Sequence, residues 1–258
     1  MSCSSFTEQI SFDIIGEVIS PFAEKFAIPR QSNLVPVQAE IRFVPPFNQS
    51  CAFDGLEDVS HIWLQFLFDG HNQAKRSNSL RVRPPRLGGN AKLGVFATRS
   101  SFRPNPLGLS LVKLLAIKHG QDQTVSLLVE GVDLVNGTKI VDIKPYLPYA
   151  DIDNSAYNLM AEKPPGAIFQ VIWAKGVALN KQDKVFKDQI EQLIALDPRP
   201  SYHSLSLSEH DENRQYGFVF AGYNICFIIE PSKNDSSGSV LDKAIIVSCA
   251  PLSLSSQC

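Results

Sequence analysis

No two cysteines in this sequence are spaced as C-x-x-C. The five that occur, Cys3, Cys51, Cys226, Cys249 and Cys258, are scattered and odd in number. That is the pattern of free thiols in a reducing cytoplasm, not of a disulfide framework. The histidines lack ligand spacing as well: His203 and His210 lie seven apart with no cysteine nearby, so no metal centre is expected. No apolar run approaches the roughly 18 residues that span a bilayer. The N-terminus has no basic stretch leading into an apolar one, so neither a membrane anchor nor a signal peptide is expected. A phosphate-binding G-x-x-x-x-G-K-[ST] loop and a G-x-S-x-G nucleophile elbow are both missing. Gly88, Gly89 and Gly94 do not compose a G-x-G-x-x-G turn behind a strand, which speaks against a doubly wound nucleotide-binding sheet. Internal repeats and low-complexity tracts are absent too.

What is present is a chain of 258 residues, 44% hydrophobic and 19% charged, enough to bury a core. Its first 150 residues read as short strands rich in β-branched and aromatic residues: 12–19, 40–44, 61–68, 93–98, 109–117, 124–132 and 139–143. Turn formers separate them, and no amphipathic helix of about ten residues intervenes, so βαβ units are not supported. A closed or nearly closed antiparallel barrel follows, because closure hides strand edges. After a linker at 151–165 comes a strand pattern at 167–179. A helix at 183–197 then aligns Phe186, Ile190, Leu193 and Ile194 on one face, and further strand patterns follow. The expected fold is mainly β: an N-terminal β-barrel domain (1–150), the linker, a small α+β C-terminal domain (166–250) and a tail (251–258).

Charge is unevenly placed. Ten lysines and arginines and no acid fall between Gly70 and Gln121, leaving 14 basic against 26 acidic residues elsewhere. The stretch 81–106 alone holds five arginines, four prolines and three glycines. Such asymmetry suits either an anionic partner on one face or simple neutralisation of the acidic remainder. Several loops join rigid backbone to polar side chains. "FAIPRQ" (26–31) offers a guanidinium and an amide beside a proline, and a guanidinium takes a carboxylate or phosphate in bidentate fashion. "TRSSFRPNP" (98–106) sets Arg99 and Arg103 among hydroxyls and locks the chain with two prolines. "GVDLVNGT" (131–138) ends a strand at Asp133 and supplies an Asn-Gly turn. Each stretch also reads as ordinary structure: a surface ion pair, a turn, a hairpin.

Taken together, "EKFAIPRQ", "GLEDVSHIWLQFLF", "VRPPRLGGNAKLGVFATRSSFRPNPLGLSLV", "DLVNGTKIVDIKPYLPYA" and "ALDPRPSY" resemble the TsaA-like, or TrmO, family over almost the whole chain. The resemblance implies a tRNA methyltransferase that uses S-adenosyl-L-methionine on a β-barrel, methylates N6 of threonylcarbamoyl-adenosine at position 37, and works as a homodimer. Carried over by motif, the cofactor contacts are Pro29, Arg30, Gln31, Asp69, Gly70, His71, Arg99, Leu109, Asp133, Leu134, Val135 and Asn136. The chain departs from some members in having Asp69-Gly70 after the strand where they have His-Gln, and Asn136 where they carry Asp. Arg81, Arg83, Arg86, Lys92, Arg103 and Arg199 are the expected RNA contacts. No catalytic proton acceptor is identified. Two other readings stay open: a noncatalytic RNA-binding barrel that recruits a partner, and a hydrolase for a small anionic substrate.

Overall fold

The computed structural model describes residues 10–68, 80–84, 91–121, 124–177, 184–199, 214–232 and 241–252. Six strands close into a barrel in the order β1 (Gly16–Ile19), β2 (Gln38–Phe43), β7 (Val125–Glu130), β6 (Leu107–His119), β3 (His61–Leu67) and β8 (Lys139–Pro145), with β8 returning to β1. Every pairing is antiparallel. Alternation makes these segments strands: β3 and β7 bury every second residue, so Ile62, Leu64 and Phe66, and Val125, Leu127 and Val129, point into one interior. Those side chains are 0–4% exposed. Gly108 faces Phe66 across the β3–β6 pair, and a Cβ on Gly108 would come within 2.2 Å of the Phe66 ring. The glycine makes room for the aromatic ring at this end of the barrel.

The strand directions gather the chemistry. In an all-antiparallel barrel of this register, the ends of β1, β3 and β7 and the starts of β2, β6 and β8 share one rim. The β1–β2 connection (20–37), the β3–β6 connection (68–106) and the β7–β8 connection (131–138) therefore all emerge at the same mouth. Between β3 and β6 lies a small two-stranded ribbon, β4 (Arg81–Val82) with β5 (Leu93–Gly94). The sequence pattern at 93–98 suggests a longer strand. Only Leu93–Gly94 pair, and Val95–Ala97 form a 3-10 turn. Val95 is buried while Phe96 and Ala97 are exposed, so strand alternation fails there.

A short helix α1 (Pro148–Asp151) follows β8; the sequence reading did not foresee it. The second unit is a four-stranded sheet, β10 (Tyr216–Phe220), β11 (Tyr223–Glu230), β12 (Asp242–Pro251) and β9 (Phe169–Trp173) in that order, with helix α2 (Lys184–Ala195). Phe186, Ile190, Leu193 and Ile194 are the buried face of α2, as the periodicity predicts. The turn between β10 and β11 puts Ala221 and Gly222 at φ 50° and 79°, the left-handed pair a tight hairpin requires. The buried residues of barrel and second sheet form one continuous cluster.

Candidate functional site

At the mouth, the three connections are tied to each other. Asn33 adopts φ 61°, a conformation asparagine tolerates better than most residues. Its N–H donates to the Gly131 carbonyl at 2.9 Å, and its side-chain amide donates to the Leu111 carbonyl at 2.8 Å. Gly131 has φ 88°, and a Cβ there would lie 2.1 Å from Asn33 Oδ1, so both backbone and packing require glycine. Asn136 holds the other end of the β1–β2 connection: its Oδ1 accepts from the Ser20 N–H at 3.0 Å, and its N–H donates to the Phe22 carbonyl at 2.8 Å.

Asp133 is the centre of this network. The Ser110 hydroxyl, 3% exposed, donates to its Oδ1 at 2.7 Å. Burial pushes the Asp133 carboxyl above the usual aspartate range, opposed by the Ser110 hydroxyl, then by its own backbone N–H, the Arg99 charge and the Ser32 N–H. One carboxylate thus feels strand β6 and all three mouth connections. Arg99 in turn donates Nη1 to Gln31 Oε1 at 2.7 Å, and Gln31 donates its amide to the Arg30 carbonyl. Arg30, Gln31 and Arg99 are exposed, while Pro29 behind them is buried.

The structure therefore brings Arg30, Gln31, Arg99 and Asp133 to one rim of the barrel. Leu134 is buried, Val135 is half-buried and accepts from the Thr138 hydroxyl at 2.6 Å, and the side-chain oxygen of Asn136 is taken by Ser20. Leu109 points away from the barrel interior and is 51% exposed. Asp69, Gly70, His71 and Arg86 lie outside the described residues. Ser110 was missed by sequence reasoning. Its signal was parity: it shares the inward face of β6 with Gly108 and Val112, a lone hydroxyl in an apolar row.

Beside the mouth stands the basic face. Arg81 and Arg83 are exposed, and Arg81 Nη2 donates to the Lys92 carbonyl at 2.9 Å across the β4–β5 ribbon. Arg103 is half-buried and donates to the Thr98 carbonyl at 3.2 Å, so it braces its own loop. Arg199 requires a correction. It is 5% exposed, with Nε and Nη2 on the Asp197 carboxylate at 2.7 and 2.9 Å. Its guanidinium lies 4.9 Å from the Phe169 ring centre and 5.8 Å from that of Tyr216. A side chain so enclosed fastens the exit of α2 and is not placed to meet a phosphate. Among the described residues no cluster of three or more His, Cys, Asp or Glu is arranged to hold a metal, and no helix is long and apolar enough to cross a membrane.

Comparison with known proteins agrees with this architecture. Residues 17–152 match the family model of the tRNA-methyltransferase O N-terminal domain, and residues 169–237 match that of the TrmO C-terminal domain. The chain is 40% identical over 233 residues to the Escherichia coli (strain K12) protein named tRNA (adenine(37)-N6)-methyltransferase, covering 85% of this chain and 97% of that one. An Eikenella corrodens protein of the same name is 44% identical over 171 residues, covering 66% of this chain and 91% of its own. Further relatives, in Pseudomonas aeruginosa and Methanothermobacter thermautotrophicus, carry names that invoke S-adenosylmethionine. The crystal structure of TrmO from Pseudomonas aeruginosa superposes with a TM-score of 0.72 at 32% identity, covering 96% of this chain and 100% of that one. With a six-stranded barrel, a small second sheet and both family models matched in order along one chain, the protein belongs to the tRNA-methyltransferase O family.

Proposed function

We propose that this protein is an S-adenosyl-L-methionine-dependent tRNA methyltransferase acting on N6 of adenine 37, on a base that already carries threonylcarbamoyl. The observation that carries the reading is the cluster of Arg30, Gln31, Arg99 and Asp133 at one rim of the barrel, beside an acid-free basic segment. S-adenosyl-L-methionine, when bound, supplies an electrophilic methyl group on a sulfonium. The residues present fit such a ligand. Arg30 and Arg99 are exposed guanidiniums suited to its carboxylate, and Asp133 is a fixed acceptor for a ribose hydroxyl or an amine. The Phe66 ring lies against Gly108 at this end of the barrel, which supports a ligand held by the mouth loops.

The task of these residues is alignment: to hold donor and base in line at near-attack distance and to keep both from reorienting. Arg81, Arg83, Arg86, Lys92 and Arg103 meet the RNA backbone, which gives affinity and salt dependence but not sequence readout. The target base is read as part of a loop, splayed out of its stack. The proposal includes a homodimer in the cytosol, where tRNA is found. Phe96, Phe102, Leu107 and Leu109 are 75%, 59%, 38% and 51% exposed around the start of β6, an apolar surface that a second copy would cover. A barrel that only captured RNA would need the basic face but not the Asp133–Ser110 pair or the Arg99–Gln31 contact.

The experiment compares tRNA bearing unmodified adenosine 37 with tRNA bearing the threonylcarbamoyl base, at matched salt, with labelled methyl donor. Transfer to the modified tRNA alone is expected. Equal rates on both would overturn the requirement for threonylcarbamoyl, and transfer to neither would favour the recruiting module.

A further inference from the structure

The β1–β2 connection carries Pro29–Gln31, and its two ends are pinned to the barrel side: Ser20 and Phe22 by Asn136, Asn33 by Gly131 and Leu111. Its flanks rest on the other unit. Phe22 bridges to Phe220 with ring centres 5.3 Å apart, both rings fully buried, and Phe26 packs on Phe218 at 6.4 Å. The Ala221 N–H donates to the Pro21 carbonyl at 2.9 Å and the Val219 N–H to Glu24 Oε1 at 3.2 Å. Further along, Gln189 of α2 donates Nε2 to the Pro36 carbonyl at 2.8 Å. Between Phe26 and Pro29 the backbone turns through Ala27 at φ 67°, a left-handed conformation that an alanine does not hold without support.

We propose that β10 and α2 position the methyl-donor site: Phe218, Phe220 and Gln189 hold the 20–37 connection, and so Arg30 and Gln31, in the shape that receives the donor. This rests on the reading that Arg30 and Gln31 meet S-adenosyl-L-methionine. The second unit thus acts on the cofactor, through packing, without touching it. When only part of the population holds the competent loop, apparent affinity falls by that fraction. Removing a support therefore weakens donor binding even with the binding residues intact.

The test uses the full-length chain and four variants: Gln189→Ala, Gln189→Lys, Phe218→Ala and Phe218→Leu. Calorimetry without tRNA gives the Kd for S-adenosyl-L-methionine, steady-state assays give the KM for tRNA, and hydrogen exchange reports the amides of residues 27–33. Gln189→Ala is expected to raise the donor Kd about threefold to tenfold, the scale of one ordinary hydrogen bond. It should speed exchange at 27–33 and leave the tRNA KM within about twofold. Gln189→Lys keeps a donor of similar reach and should restore the Kd. Phe218→Ala should exceed Phe218→Leu in the same direction; if it fails to fold, the Gln189 pair decides alone. Unchanged donor Kd and unchanged exchange in folded variants overturn the proposal, as does a rise confined to the tRNA KM. Should the wild-type chain bind no donor, the functional reading fails, and the exchange comparison still decides whether the second unit holds the loop.

Discussion

Replacing Ser110 by alanine tests the network at the barrel mouth most directly. The hydroxyl is buried and donates at 2.7 Å to Asp133 Oδ1, and alanine removes the donor without adding bulk. Losing a hydrogen bond to a charged group costs about 1.5–3 kcal/mol. For a chain of this size that lowers the thermal midpoint by roughly 3–12 °C. The pH dependence carries more information. Burial already lifts the Asp133 carboxyl above the ordinary range, and Ser110 opposes that lift, so Ser110→Ala raises it further. A group raised in the folded state contributes fully to stability below its unfolded value, about 3.9 for aspartate, and that contribution is lost as pH climbs through the folded value. Both proteins lose stability across this window, and the variant loses more. The difference between them should grow with pH and level off once Asp133 is ionised in the variant. Urea unfolding from about pH 4 to about pH 8 measures it. In an Asp133→Asn background the serine substitution should cost only about 0.5–1.5 kcal/mol, with no pH dependence. A cost that is flat with pH, or equal in both backgrounds, refutes Asp133 as the buried acceptor.

Arg99→Ala should weaken S-adenosyl-L-methionine binding about tenfold to a hundredfold with little change in thermal midpoint, because Arg99 is exposed; calorimetry beside a melting curve separates the two effects. Arg83→Glu should lower tRNA affinity and flatten the dependence of log K on log salt by about 0.7 or more while leaving donor affinity intact, as filter binding at several salt concentrations would read. Arg199→Ala should behave oppositely. It leaves Asp197 buried without its cation, a loss of about 3–5 kcal/mol in stability, and the tRNA salt slope of the folded fraction should stay unchanged.

How far the sequence discloses this molecule depends on the range of the interaction. Alternation along His61–Leu67 and Val125–Glu130 is local, so the barrel strands are legible, as is the buried stripe of α2. Strand order is not: β2 pairs with β7 and β1 with β8, and nothing within either segment announces its distant partner. At 93–98 composition suggests a strand where the chain turns, because exposure of Phe96 is decided by what packs nearby. Arg30, Gln31, Arg99 and Asp133 were singled out through motif, and their meeting at one rim is a consequence of strand direction. Arg199 was read as surface charge because a positive residue in "DPRPSY" looks available; the aspartate two places earlier, which takes it, was the overlooked local signal. Ser110 needed the parity of β6 to be followed through its one polar member.

The pairing order of the second sheet also sets a timetable during synthesis. The barrel has all its strands once Pro145 has left the ribosome. Among the described residues β9, made soon afterwards, pairs with β12, which is made only after β10 and β11. A nascent chain can therefore close its barrel early yet wait until β12 has emerged to complete the sheet that flanks the 20–37 connection. Ribosome-bound chains should hold a folded but unfinished enzyme, and a truncation that removes β12 should leave β9 without its partner while the barrel stands.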